Sequence, residues 1–458
     1  MNKTPRTKMP EQNPLKRSSN FLEVALGYGI EEAKKEALRC IDCKNPKCVL
    51  ACPVSVKIPE FIKHILNDDM DKAFDKIYED NILPSICGRV CPQESQCEGA
   101  CILGIKGEPV SIGALERFVG DYGMENAKAD TTVDQTIDKK VAVVGSGPAG
   151  LANAASLRRK GYRVTVFEAL HEFGGVLTYG IPEFRLPKAI VKNEIKNLQD
   201  MGVEFIKNAI VGKSVTLDQL KEDGYDAIFI GSGAGLPSSL GVPGENYNGV
   251  YFANEFLTRV NLMRSNVFPN SATPIKTGKT VAVIGGGNVA MDAARTAKRI
   301  GAKEVMIIYR RDQASLPARL DEIHHAIEEG IEMNLLYNPV EIFAENYEVK
   351  AIKCERMKLG EPDSSGRRRP LPTNEFKTFD VDSVIVSIGQ KPNPILKQST
   401  LDLKTHDWGG IITDEAHMTS IDGVFAGGDA VTGAATVILA MGAGKDTAQT
   451  IDEYLRSK

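Results

Sequence analysis

The pattern of apolar and polar positions changes character twice along the chain. From about Phe21 to Phe118 apolar residues recur at helical spacing: Glu31 to Leu38 is rich in strong helix formers, and Phe61, Ile62, Ile65 and Leu66 fall on one face. This predicts short helices and loops without a long strand. A polar stretch rich in threonine and aspartate, about Glu125 to Lys140, then reads as a linker. Beyond it, short apolar runs alternate with helical patterns to the C-terminus. Val141 to Val144 predicts a strand, a helix follows through Arg158, and Arg163 to Phe167 predicts a second strand; the unit recurs at Thr280 to Ile284 and Val305 to Tyr309. Such alternation predicts a doubly wound α/β architecture with parallel sheets. The first twenty residues are basic, polar and proline-containing, which predicts a solvated arm.

Composition narrows the class. The 458 residues are enough for about three domains on the usual size scale. A formal charge of −4 is near balance, which disfavours nucleic acid or a membrane surface as the main partner. No stretch approaches the roughly eighteen unbroken apolar residues of a membrane span, and the start Met1-Asn2-Lys3-Thr4 has no apolar secretory segment. A soluble, cytoplasmic protein is expected.

The cysteines carry the first chemistry. Of nine, eight lie between residues 40 and 101: Cys40, Cys43, Cys48, Cys52, Cys87, Cys91, Cys97 and Cys101. Thiolates suit soft iron clusters, and a Cys-x-x-Cys followed closely by further cysteines and Cys-Pro is the local grammar of ferredoxin-type sites. Two alternatives compete. Cys40 and Cys43 with Cys97 and Cys101 would also make a tetrahedral zinc site. A disulfide framework would need an oxidising compartment. Iron–sulfur ligation is the preferred reading.

Two glycine fingerprints carry the second. In the first, Gly145 permits a tight turn, Gly147 lets the backbone approach a pyrophosphate, and Gly150 allows close helix packing, while Glu168 ends the next strand where it can accept hydrogen bonds from a ribose. In the second, Gly285, Gly287, Asn288 and Val289 lead to Ala290 in place of the third glycine, and the next strand ends in Arg310 and Arg311. An arginine there can pair with a 2′-phosphate, where a carboxylate would repel it. The pair fits FAD in the first unit and NADPH in the second.

The late segment Gly427-Gly428-Asp429, with Cys87-Gly88-Arg89-Val90-Cys91-Pro92 and Tyr309-Arg310-Arg311-Asp312 in the same order, resembles the small subunit of NADPH-dependent glutamate synthase over about Phe21 to Leu455. Relatives of that family include the N-terminal part of dihydropyrimidine dehydrogenase and the large subunit of an NADH-dependent reduced ferredoxin:NADP oxidoreductase. The resemblance implies an all-helical iron–sulfur domain over 1–135, an FAD domain over 136–259 and 381–458, and an NADPH domain inserted at 260–380. It implies that Gly428 and Asp429 serve the FAD, that Thr436 and Val437 open a helix facing the flavin, and that Gly175 passes the isoalloxazine. It further implies two [4Fe–4S] clusters, one on Cys40, Cys43, Cys48 and Cys101, the other on Cys52, Cys91, Cys97 and Glu116, with Cys87 free. The implied activity is NADPH oxidation at FAD, no side chain acting as acid or base, with electrons exported through the clusters to a large partner subunit that makes glutamate from glutamine and 2-oxoglutarate. The same motifs also fit a bifurcating oxidoreductase subunit working with another flavoprotein, or a non-catalytic metal-stapled module. Cys354 stands alone, so dithiol exchange is not expected. His324-His325 and Arg367-Arg368-Arg369 read as solvated structure rather than as sites.

Overall fold

The structure, a computed structural model, describes residues 4–126, 133, 136–363 and 366–458; half of the expected linker lies outside them. Among the described residues before Lys140 the chain forms helices and no strand, chiefly Ile30–Ala37, Ile58–Leu66, Met70–Tyr78, Pro84–Val90 and Ile112–Asn126. The expected face of Ile58–Leu66 points inward, with Phe61, Ile62 and Ile65 buried against Phe74 and Ile77 of the next helix. Helices Pro84–Val90 and Ile112–Asn126 cross where only glycine fits: a Cβ on Gly88 would lie 2.5 Å from the Arg117 nitrogen, and one on Gly120 would lie 2.6 Å from that of Ser85.

The N-terminal arm is not solvated. Arg17 is 1% exposed, its guanidinium 3.1 Å from Glu329, 2.6 Å from Glu328 and 3.2 Å from Glu11. Val24 donates its N–H to the Phe184 carbonyl at 3.0 Å, and Arg6 pairs with Glu98 at 2.6 Å. The arm therefore crosses all three parts of the molecule. Local composition pointed to solvent because the buried carboxylates that receive these cations lie far away in sequence.

The first parallel sheet has the order Val424–Ala426, Ala227–Ile230, Lys140–Val144, Arg163–Phe167, Glu204–Ile206. The second, also parallel, has the order Val250–Phe252, Ser383–Val386, Thr280–Ile284, Glu304–Tyr309, Glu332–Leu335. Central strands are apolar on both faces because helices cover both: Val141, Ala142 and Val143 are fully buried, as are Val281, Ala282 and Val283. The second sheet sits between strands of the first in chain order, as an insertion does. Its first and last strands in chain order, 250–252 and 383–386, fall outside the expected 260–380, so the sheet itself starts and ends further out along the chain. Tyr337–Glu345, Glu348–Pro362 and Arg368–Asp380 form an antiparallel sheet; Cys354 is buried in its middle strand, and Arg367, Arg368 and Arg369 are exposed near the hairpin tip, as expected. One hydrophobic core runs unbroken from the helical region into the first sheet, joining Phe61 and Leu115 to Val141, Phe425 and Leu455.

Candidate functional site

Gly145 turns the first fingerprint with φ of +101°, and a Cβ on Gly150 would lie 1.9 Å from the Gly145 carbonyl oxygen. A Cβ on Gly147 meets nothing within 4 Å. That open cradle sits at the N-terminus of helix Pro148–Arg159, where free N–H groups and the helix dipole favour an anion such as a pyrophosphate. Gly175, at φ +53°, brings its backbone over the cradle; a Cβ on it would be 2.8 Å from the Gly147 Cα. Gly428, at φ +67°, abuts Ala149 from the other side. Glu168 is buried, accepting from the Ser146 N–H at 3.0 Å, the Leu170 N–H at 2.9 Å and the Ser146 hydroxyl.

Asp429 accepts from the Ala435 N–H at 3.2 Å, and burial pushes its carboxyl up to about 6. Thr436 caps helix Val437–Arg456, its hydroxyl accepting from the Leu439 N–H at 3.3 Å. Tyr179 was missed by the sequence reading. Burial, aided by the charges of Glu168 and Asp429, raises its phenol to about 12, so the ring is within electrostatic reach of both acids. The residues expected around FAD thus converge on one cleft.

In the second fingerprint Gly285 turns with φ of +143°, and a Cβ on Gly287 again meets nothing within 4 Å, beside the N-terminus of helix Asn288–Arg299. Asn288 is engaged, its side-chain oxygen accepting from the Arg319 N–H at 2.9 Å; Val289 is partly exposed and Ala290 buried. Arg310 is exposed, and Arg311 buries its Nε without a hydrogen-bond partner. Among the described residues neither arginine has an ion pair. Two free guanidiniums at a strand end, one holding an orphaned buried donor, fit a phosphate ligand.

The thiols fall into two groups. Cys40, Cys43, Cys48 and Cys101 line one cavity of about 80 Å³ with Ile41 and Ile102. In the second group, Cys52, Cys91 and Cys97 lie within electrostatic reach of Glu116 and of Cys87 or one another. Burial raises Cys48 and Cys52 to about 11 and Glu116 to about 7, so these acids crowd together with little cationic compensation. Asn81 donates to Glu116 at 2.7 Å, and the Cys87 Sγ lies 3.6 Å from the Asn81 side-chain oxygen. Among the described residues no three His, Cys, Asp or Glu side chains converge on a point that a lone ion would fill. The donor sets fit iron–sulfur clusters, which need soft ligands spread around a volume.

The segments that flank the second group pack on helix Val437–Arg456. Cys87 Sγ is 3.6 Å from Met441 Sδ, a Cβ on Gly442 would lie 2.9 Å from the Pro53 carbonyl oxygen, and Lys445 pairs with Asp80 at 2.8 Å. Of the histidine pair, His324 is exposed as expected and His325 is not. His325 is buried, its Nε2 3.1 Å from a Glu11 oxygen, because the arm covers the helix face that would otherwise meet water.

Residues 139–444 match the family model described as pyridine nucleotide-disulphide oxidoreductase. The chain belongs to that family. Residues 17–128 match a second model, dihydropyrimidine dehydrogenase domain II, 4Fe-4S cluster. This pyridine nucleotide oxidoreductase is 36% identical to the glutamate synthase [NADPH] small chain of Halomonas elongata, over 97% of this chain and 96% of that one. It is 40% identical to the NADP(+)-dependent formate dehydrogenase subunit beta of Moorella thermoacetica over 89% of its own length, but spans only 60% of that protein. A solved structure of FprA from Mycobacterium tuberculosis shares the fold with a TM-score of 0.59 at 23% identity, covering 70% of this chain and 85% of that one. The family name refers to disulphide chemistry, yet the two nucleotide units hold only Cys354, too few thiols for an exchangeable pair. The chain is an oxidoreductase that couples a flavin and nicotinamide type of fold to a 4Fe-4S domain.

Proposed function

We propose that this chain oxidises NADPH at an FAD held in the first nucleotide unit and exports electrons through two [4Fe–4S] clusters to a partner protein, as the small subunit of a glutamate synthase. The observation that carries the export is the packing of the segments beside the second thiol group, at Pro53 and Cys87, on the helix that opens at Thr436, while the first group lies further out beside exposed Ile41 and Ile102. That arrangement suits a relay from flavin to surface. The end-to-end match with a glutamate synthase small chain supports the choice of partner. Bound FAD supplies hydride acceptance and single-electron release, and bound clusters supply single-electron carriage.

The chain's own residues bind and orient. Gly145, Gly147 and Gly150 would admit the FAD pyrophosphate to a helix N-terminus, Glu168 would meet its ribose, and Asp429 with Thr436 and Val437 would hold the flavin end. Gly285, Gly287 and the helix from Asn288 would seat the NADPH pyrophosphate, and Arg310 with Arg311 its 2′-phosphate. Cys40, Cys43, Cys48 and Cys101 would ligate one cluster; Cys52, Cys91, Cys97 and Glu116 the other. Catalysis by such a chain is positioning of the nicotinamide against the acceptor ring.

The test is to supply purified, anaerobically prepared protein with NADPH and menadione, then with glutamine, 2-oxoglutarate and a glutamate synthase large subunit. Menadione reduction by the chain alone, with glutamate formed only when the large subunit is present, is the expected result. Glutamate from the chain alone would overturn the partner reading. A second reading draws on the 40% identity with the formate dehydrogenase subunit: menadione reduction without glutamate in the reconstituted mixture would favour a different redox partner.

A further inference from the structure

We propose that the surface around the first thiol group is the docking face for an acidic electron-accepting protein. The inference rests on the export reading and adds the site and charge of the partner's contact.

Cys40, Cys43, Cys48 and Cys101 are each partly exposed, whereas in the second group Cys91 and Cys97 are buried and Cys52 alone is partly exposed, so the first group is the more open to a partner. Ile41 and Ile102 line the same cavity as these thiols and are 53% and 47% exposed. Leu50, on the short helix that also carries Cys48, is 84% exposed, and Ile105, on the turn after Cys101, is 72% exposed. Single exposed apolar side chains are ordinary; four on the short segments that carry one set of thiols make the dry centre of an interface.

The rim is basic. Lys44, Lys47 and Lys106 stand exposed on the same segments, and among the described residues none of them has an ion pair or a side-chain hydrogen bond. The nearby acids are Asp42 and Glu108, and the Glu108 carboxylate already accepts from the Arg6 N–H at 2.8 Å. A positive rim on a chain of net charge −4 is a local inversion of sign, and it selects a partner whose own redox centre is ringed by carboxylates. An apolar centre inside a charged rim lets electrostatics orient the encounter while desolvation at the centre brings the two redox groups together.

The test uses two haem proteins of opposite charge: the soluble domain of cytochrome b5, which is acidic, and cytochrome c, which is basic. Each NADPH gives up two electrons and becomes NADP+ with release of one proton, and two ferric haems each take one electron to become ferrous. At low ionic strength the holoprotein should reduce cytochrome b5, and the rate should fall about tenfold on adding salt or in the Lys44→Glu/Lys106→Glu variant. Reduction of uncharged menadione should be unchanged in that variant and in the milder Lys44→Gln/Lys106→Gln. Equal cytochrome b5 rates for variant and parent, or preference of the parent for cytochrome c, would overturn the proposal. Calorimetric titration of ferric cytochrome b5 reads docking separately. If menadione reduction fails, the functional reading falls, while salt-sensitive binding lost in the Glu variant still supports the face. Tight binding to phosphatidylserine vesicles with no binding of cytochrome b5 would assign the patch to a membrane and overturn it.

Discussion

Arg185 donates from one guanidinium nitrogen to both carboxylate oxygens of Asp292, at 2.9 and 2.7 Å, across the contact between the two nucleotide units. Its Nε lies 3.1 Å from Glu322, off line for a hydrogen bond. Arg295 pairs with Glu322 and Glu329, Arg299 adds to Glu329 at 2.6 Å, and Phe184 lies beneath both arginines, 4.8 and 3.9 Å from the ring centre. Burial alone would raise the Glu329 carboxyl, but the hydrogen bonds and charges of Arg299 and Arg295 bring it down to about 2. Truncating Arg185 leaves the Asp292 carboxyl, which burial already pushes up, in the interior without its cation. Arg185→Ala should cost about 3–5 kcal/mol, and Arg185→Met with Asp292→Leu markedly less, read as thermal unfolding midpoints with FAD bound.

Glu194, buried on helix Lys188–Asp200, gives a pH dependence of defined sign. Burial pushes its carboxyl up to about 8, outweighing the hydrogen bond from Asn197 at 3.3 Å. The unfolded chain ionises this group from about pH 4.5 upward while the folded protein keeps its proton. Its contribution to stability is therefore full below about pH 4.5 and falls as pH rises through about 8. Glu194→Gln mimics the protonated acid and should remove that loss, raising the melting temperature at pH 8 by several degrees and leaving it unchanged near pH 4.5, on the order of a few kcal/mol in all. Equal shifts at both values would show that the side chain is already ionised when folded.

Arg310 and Arg311 bear on nucleotide choice. Arg310→Gln with Arg311→Gln should raise KM for NADPH by about tenfold or more and leave KM for NADH nearly unchanged, since only one nucleotide loses a charge-assisted pair. Steady-state rates with menadione distinguish the two. Parallel losses would assign the arginines to the fold.

The thiol groups predict unequal responses to Cys→Ser exchange. Cys43→Ser should remove about half of the bound iron, whereas Cys87→Ser should keep all of it, because the proposed ligand sets include Cys43 and omit Cys87. Iron and sulfide analysis with low-temperature spin resonance of reduced protein reads both. Iron loss on Cys87→Ser would exchange its place with that of Glu116.

The elements that sequence made legible are those written in local grammar. The strands Lys140–Val144 and Thr280–Ile284 carry glycine turns that only a few backbone shapes satisfy, and the eight clustered cysteines announce soft ligation before any fold is known. What stayed hidden depends on partners far away. Arg17 looks like a solvated cation until Glu329 is seen beside it, 312 positions later. His325 looks like an exposed histidine until Glu11 covers it. The strand Arg368–Asp380 is mostly polar and exposed, so its alternation was too weak to stand out. Tyr179 carries no motif, and only the charges of Glu168 and Asp429 acting on its phenol show that it lies near them.

The arm that carries Arg17 also sets an order of events during synthesis. Its partners Glu328 and Glu329 leave the ribosome some three hundred residues after it does, so Arg17 stays undocked until the second nucleotide unit has emerged and folded. Through that interval the cysteines behind it are already made, while the segment that later runs from Glu98 to the far helix is not yet in place. Docking of Arg17 therefore becomes the late step that marks a finished molecule.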